Sequence, residues 1–180
     1  MPTLFAAYED RLLRVVGEGE NWTVETVHEG PVFESIAGHR ASATLLVAGT
    51  VDDGVHRSRD DGESWERVAE STIDDRVTAV ASDPTDPDRW YVGTEPSRVF
   101  MTTDGGASWG HRDGLRDLPS SSTWSFPPRP STHHVRWIEV DPVDPTHLAV
   151  SIEAGALVQS HDRGATWEDR VEGSRRDVHG

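Results

Sequence analysis

Short stretches of the chain alternate apolar and polar residues with the two-residue period of a half-buried strand. The clearest set runs from 134 to 170. His134–Val140 alternates and is rich in β-branched and aromatic residues, which fit a pleated surface. Asp141-Pro142-Val143-Asp144-Pro145 then forces a turn, because proline fixes φ and carries no N–H. His147–Ile152 reads as a second strand, Ala154-Gly155 as a tight reversal, Leu157–Ser160 as a third strand and Thr166–Arg170 as a fourth. This predicts four short antiparallel strands in about 44 residues.

The same unit recurs along the chain. Ser58–Trp65, Thr102–Trp109 and Ser160–Trp167 each read Ser/Thr-x-Asp-x-Gly-x-Ser/Thr-Trp. A worn copy upstream keeps Gly17, Gly19, Asn21 and Trp22 in register. The four tryptophans are 43, 44 and 58 residues apart. Val77–Trp109 aligns with Val135–Trp167 without a gap, and 11 of 33 positions are identical. A fixed period of this kind predicts stacked units that bury their faces against their neighbours. One domain over 1–180 follows, with repeats at about 1–32, 33–76, 77–134 and 135–176.

The motif falls in the turn between third and fourth strands. An aspartate there accepts hydrogen bonds from nearby backbone N–H groups. The glycine two residues on takes φ > 0 without a Cβ clash. The tryptophan lands on the last strand, where a large ring fills the gap between units. Asp60, Gly62 and Trp65, Asp104, Gly106 and Trp109, and Asp162, Gly164 and Trp167 are therefore structural. A catalytic triad of these aspartates fails on geometry, since each occupies the same outer turn of a different unit.

These three motifs resemble the Asp-box, or bacterial neuraminidase repeat (BNR), family. The resemblance covers nearly the whole chain. It implies an all-β fold, a β-propeller of four-stranded antiparallel blades with about four blades present. It says little of function, because the motif occurs in sialidases, other glycosidases, sortilin-type receptors and photosystem assembly factors. A sialidase is excluded: the Arg-Ile-Pro motif is absent, and the only tyrosines, Tyr8 and Tyr91, fall on second strands.

Composition narrows the setting. Net charge is −15, and all 17 basic residues are arginine. An acidic, lysine-free surface argues against a nucleic-acid partner, which needs a positive footprint. The balance fits a halophile of haloarchaeal type, whose salt screens self-repulsion over roughly 3 Å at about 1 M; an arginine-biased, GC-rich genome gives the same signature. There is no cysteine, hence no disulfide or thiolate metal site. Residues 1–17 carry Glu9 and Asp10 and lack the apolar core of a signal peptide. No stretch approaches the roughly 20 apolar residues that span a bilayer. The expectation is a cytoplasmic protein with no membrane or nucleic-acid partner, and no cofactor or metal.

In propellers of this type, the loops entering the innermost strands share a face with the turns between second and third strands. That face, opposite the Asp-boxes, is where the resemblance implies a ligand. One loop on it is anomalous. Trp65 to Val77 encloses 11 residues, while Trp109 to Val135 encloses 25. The extra residues fall in Arg112–His134, which holds Trp124, Phe126, Arg129 and four prolines. A long, stiff loop of this kind predicts a role, packed over the channel side of the third and fourth blades. Candidate ligand residues on that face are Glu95, Arg98, Trp124, Arg129, His133, His134, Arg136, Glu153, Asp177 and His179. Glu95 and Glu153 hold equivalent repeat positions. His133 and His134 are not a metal pair, since adjacent strand residues face opposite ways.

Two functions fit. One is a binding or scaffold propeller with a small polar or carbohydrate ligand. The other is a glycoside hydrolase using Glu95 and Glu153, which needs its carboxyls about 5–5.5 or 6.5–9.5 Å apart. The bland alternative is that both glutamates pair with arginines and Trp124 holds the loop down. Leu4–Tyr8 aligns with a second strand, so the first blade is expected to lack its own innermost strand. An open arc follows, with exposed edges covered by further blades or by self-association.

Overall fold

In the computed structural model, residues 2–40, 42–70, 72–129 and 131–170 are described. Four antiparallel sheets follow one another along the chain, one per repeat. The first has three strands, β1 (Thr3–Tyr8), β2 (Arg11–Glu18) and β3 (Asn21–Glu29). The second has four: β4 (Phe33–His39), β5 (Ser42–Thr50), β6 (Val55–Ser58) and β7 (Glu66–Val68). The third holds β8 (Arg76–Ser82), β9 (Trp90–Glu95), β10 (Val99–Thr102) and β11 (Gly110–His111). The fourth holds β12 (Val135–Val140), β13 (Leu148–Ile152), β14 (Leu157–Ser160) and β15 (Glu168–Asp169). These are the blades of a partial β-propeller, each a meander ordered from inside outward. The long loop adds two 3-10 turns, Leu115–Asp117 and Pro119–Thr123. Among the described residues no helix is long and apolar enough to cross a membrane.

The strand reading from sequence holds, and the first blade begins on a second strand as expected. β12 and β13 each begin one residue later than expected, and β15 is shortened at both ends. Thr166 is already committed to the turn, through its N–H and hydroxyl on Asp162. All three Asp-boxes close identically. Asp60 Oδ1 accepts from the Ser64 N–H at 2.8 Å, and Asp104 Oδ1 from the Ser108 N–H at 2.9 Å. The first residue of each box, Ser58, Thr102 or Ser160, accepts through its hydroxyl from the N–H of Gly62, Gly106 or Gly164. Those glycines have φ of 85°, 89° and 80°, where a Cβ would be strained.

The core lies between blades, as stacked units require. Fifteen buried residues fill the seam between blades three and four, including Tyr91, Val99, Ile138, Val150 and Trp124. Ten fill the seam between two and three, including Val55, Val77, Trp90 and Trp109. Among the described residues, Leu12, Phe33 and Ala48 are buried between one and two. Each box tryptophan packs into the seam shared with the preceding blade. Close approach at the inner strands requires glycine: a Cβ on Gly49 would stand 2.4 Å from Val77 Cγ1, and one on Gly93 2.4 Å from Val135 Cγ1.

Candidate functional site at the channel mouth

The repeat register builds the site. Glu34, Thr78 and Arg136 hold the same position near the start of the innermost strand in blades two, three and four. Arg76 and His134 precede them by two residues. Glu95 and Glu153 follow at the outer limit of the second strands, opposite the ends that adjoin the Asp-boxes. All seven side chains, with Phe126 and Arg129 of the long loop, line one 250 Å³ cavity. It opens into a 490 Å³ groove along the innermost strands, with which it shares Glu34, Thr78 and Arg136.

Charges in the cavity are paired in layers. Arg129 grips Glu95 with two bonds, Nε to Oε1 at 3.0 Å and Nη2 to Oε2 at 2.6 Å. Arg76 binds Glu34 through two nitrogens and lies 4.0 Å from Glu95. Burial raises the Glu95 carboxyl, but the Arg129 bonds and the charges of Arg129, His134 and Arg76 outweigh it. Its pKa is therefore held below the usual glutamate value, and Glu95 is a poor proton donor at neutral pH. His134 Nε2 is 3.9 Å from Glu153, and the Phe126 ring meets its imidazole edge-on at 4.9 Å. Burial lowers the His134 pKa despite the nearby Glu95, Glu153 and Glu34, so this ring is neutral at pH 7. Arg136 lies 3.5 Å from Glu153 at Nε. The Glu95 and Glu153 side chains are 9% and 12% exposed, while those of Arg129 and Arg136 are about half exposed. Such a rim offers donors to hydroxyl or carboxylate oxygens.

Of the residues expected from sequence, Glu95, Arg129, His134, Arg136 and Glu153 meet in this cavity. Three do not. Trp124 is buried in the seam between blades three and four, with Nε1 donating to Ser120 Oγ at 3.0 Å, so it presents no open ring. His133 turns the other way from His134, onto Trp124 and Ser97 Oγ at 2.8 Å. Arg98 bonds Asp75 at 2.8 Å, outside the cavity. Asp177 and His179 lie outside the described residues. The long loop packs down as expected: Leu115, Leu118 and Trp124 enter the seam, and Arg129 ties it to Glu95. Glu34, Arg76 and Phe126 were missed. Carrying the register of Arg136 back through the repeats points straight to Glu34.

The model of the Sortilin-Vps10 family, described as sortilin, neurotensin receptor 3, matches residues 53–176. The vacuolar protein sorting/targeting protein 10 of Mycosarcoma maydis is 39% identical over 72 residues, covering 38% of this chain and 5% of that protein. A xyloglucanase from a Paenibacillus species is 29% identical over 179 residues, covering 91% of this chain and 17% of the enzyme. The crystal structure of the GH74 xyloglucanase from Xanthomonas campestris superposes with a TM-score of 0.66 at 17% identity, over 93% of this chain and 27% of that one. The chain thus spans under a third of the length of each of these proteins.

Proposed function

The chain belongs to the Sortilin-Vps10 family, and from that premise we propose that it is a binding and scaffold propeller. Its ligand is a small polar molecule, of which a carbohydrate fits best. The observation that carries this reading is the channel-mouth cavity, where Arg76, Arg129 and Arg136 meet Glu34, Glu95 and Glu153 from three blades and the long loop. Arg136 is central. Its side chain is 54% exposed and lies 3.5 Å from Glu153 at Nε. A guanidinium this exposed offers donors to a sugar hydroxyl or carboxylate. Calorimetric titration with neutral and acidic oligosaccharides tests this. Binding should be saturable and should weaken at least tenfold in Arg136→Ala, with unchanged melting. Equal binding by the variant would refute the assignment.

A glycoside hydrolase is the second reading, supported by the xyloglucanase relative. The lowered Glu95 pKa suits the ionised member of such a pair and not its proton donor. Release of reducing sugar from xyloglucan, abolished in Glu95→Gln and Glu153→Gln, would decide for hydrolysis.

A further inference from the structure

Each seam between blades holds an arginine, and the first two seams pair it with acid. Between blades one and two, Arg14 meets Glu25 and Glu63 at 2.8 Å and Asp61 at 3.9 Å. Between two and three, Arg57 lies against Gly106, binds Glu66 through Nε and Nη2, and donates to the Gly105 carbonyl. Between three and four the pattern changes. Met101 holds the position of Arg57, and Arg112, just past β11, takes over the contact with the box. It packs on the box glycine as Arg57 does: a Cβ on Gly164 would stand 3.1 Å from Arg112 Cγ. Box four also carries Arg163 where box three has Gly105 and box two Asp61. Two arginines thus flank Gly164. Among the described residues neither guanidinium forms an ion pair, and the Nε of each is buried without an acceptor.

Two more donors in this seam share that condition. Trp167 Nε1 has no acceptor among the described residues, whereas Trp65 and Trp109 donate to the carbonyls of Gly62 and Gly106 at 3.1 and 3.2 Å. Tyr91 is fully buried, and its hydroxyl has no partner there either. Burial pushes its pKa up to about 12, so it stays protonated, and the charges of Arg112 and Arg163 both bear on its oxygen. Asp83 bears on it too, but that carboxylate is taken by Arg89 at 3.0 Å and by Thr85. Arginine stays charged inside a protein, and a buried charge is costly unless paired.

We propose that the seam between blades three and four binds an inorganic oxyanion of the phosphate type, held by Arg112, Arg163 and Tyr91. Guanidinium forks match the paired oxygens of such an anion, and the phenol O–H adds a third donor. The anion supplies the charge that Glu63 and Glu66 supply in the preceding seams, and so fastens blade four to blade three. The site lies at the Asp-box face, away from the channel mouth, and is independent of the ligand reading.

Thermal melts of the full chain at pH 7 test this, in up to about 20 mM phosphate with sodium chloride holding ionic strength constant. Phosphate should raise Tm saturably, by about 3 °C or more. Arg163→Gly gives box four the residue of box three at a φ of 60°, which glycine adopts freely, and Tyr91→Phe removes only the hydroxyl. Each should weaken phosphate binding at least about tenfold, read from the midpoint of the Tm response. Without phosphate both should melt no lower than wild type, because each deletes a buried donor that lacks a partner. Arg136→Ala should leave the phosphate response unchanged. No phosphate response, or one that chloride reproduces, would overturn the proposal. So would a response lost in Arg136→Ala and kept in Arg163→Gly, which would put the anion at the channel mouth. Lower melting of Arg163→Gly and Tyr91→Phe without phosphate would also overturn it, since the chain itself would then supply the acceptor.

Discussion

The Arg129–Glu95 pair joins the long loop to the third blade, and its removal gives a worked expectation. Arg129→Met keeps most of the aliphatic stem and deletes both bonds to Glu95. Hydrogen bonds to charged groups contribute about 1.5–3 kcal/mol, and fully exposed ion pairs about 0–1 kcal/mol. Here one side chain is 46% exposed and the other 9%. Glu95 also retains Arg76 at 4.0 Å, which limits the loss. The expected destabilisation is therefore about 1–2 kcal/mol, or a Tm drop of about 2–8 °C for a chain of this size. The pH dependence has a fixed sign. The folded pKa of Glu95 lies below its ordinary 4.5, so the stabilisation is complete above that value and is lost as pH falls through the folded one. Thermal melts of wild type, Arg129→Met, Glu95→Gln and the double variant between pH 3 and 7 measure this. The two single effects should be strongly non-additive, and the Arg129→Met deficit should close at acid pH. Additive effects, or a deficit independent of pH, would refute the reasoning.

Other consequences follow from the packing. Asp104 is held at about 2 by its bonds from Ser108 and Thr102, so Asp104→Ala should cost about 1 kcal/mol at neutral pH. That deficit should fade as pH falls from about 4 to about 2 in acid titrations followed by tryptophan fluorescence. Gly93→Ala drives a Cβ to 2.4 Å from Val135 Cγ1 and should destabilise by about 1–3 kcal/mol in denaturant melts, with Val135→Ala restoring part of it. Three buried residues hold the first seam against fifteen in the third, so amides of β1 to β3 should exchange hydrogen before those of β12 to β14.

Much of the fold was legible because its signals are local and repeated. Asp, Gly and Trp at fixed spacing marked each outer turn, and prolines at 142 and 145 marked where β12 must stop. The site was half legible. Glu95 and Glu153 were found by repeat equivalence, and Arg136 by its place beside the long loop. Glu34 and Arg76 escaped because they differ in residue type from their counterparts, Thr78 and Arg136 for the one, His134 for the other. Trp124 misled for a different reason. An aromatic in a long loop is either a platform or an anchor, and only the depth of the seam between blades three and four decides which.

The most direct test of ligand binding at the channel mouth is 15N–1H NMR of backbone amides and arginine Nε–H groups during titration with neutral and acidic oligosaccharides. Binding there predicts saturable shifts at Arg129, Arg136, His134 and Glu153, with the Asp-box amides of Ser64, Ser108 and Thr166 unmoved. Shifts centred on the Asp-box face, or none with any oligosaccharide, would contradict it.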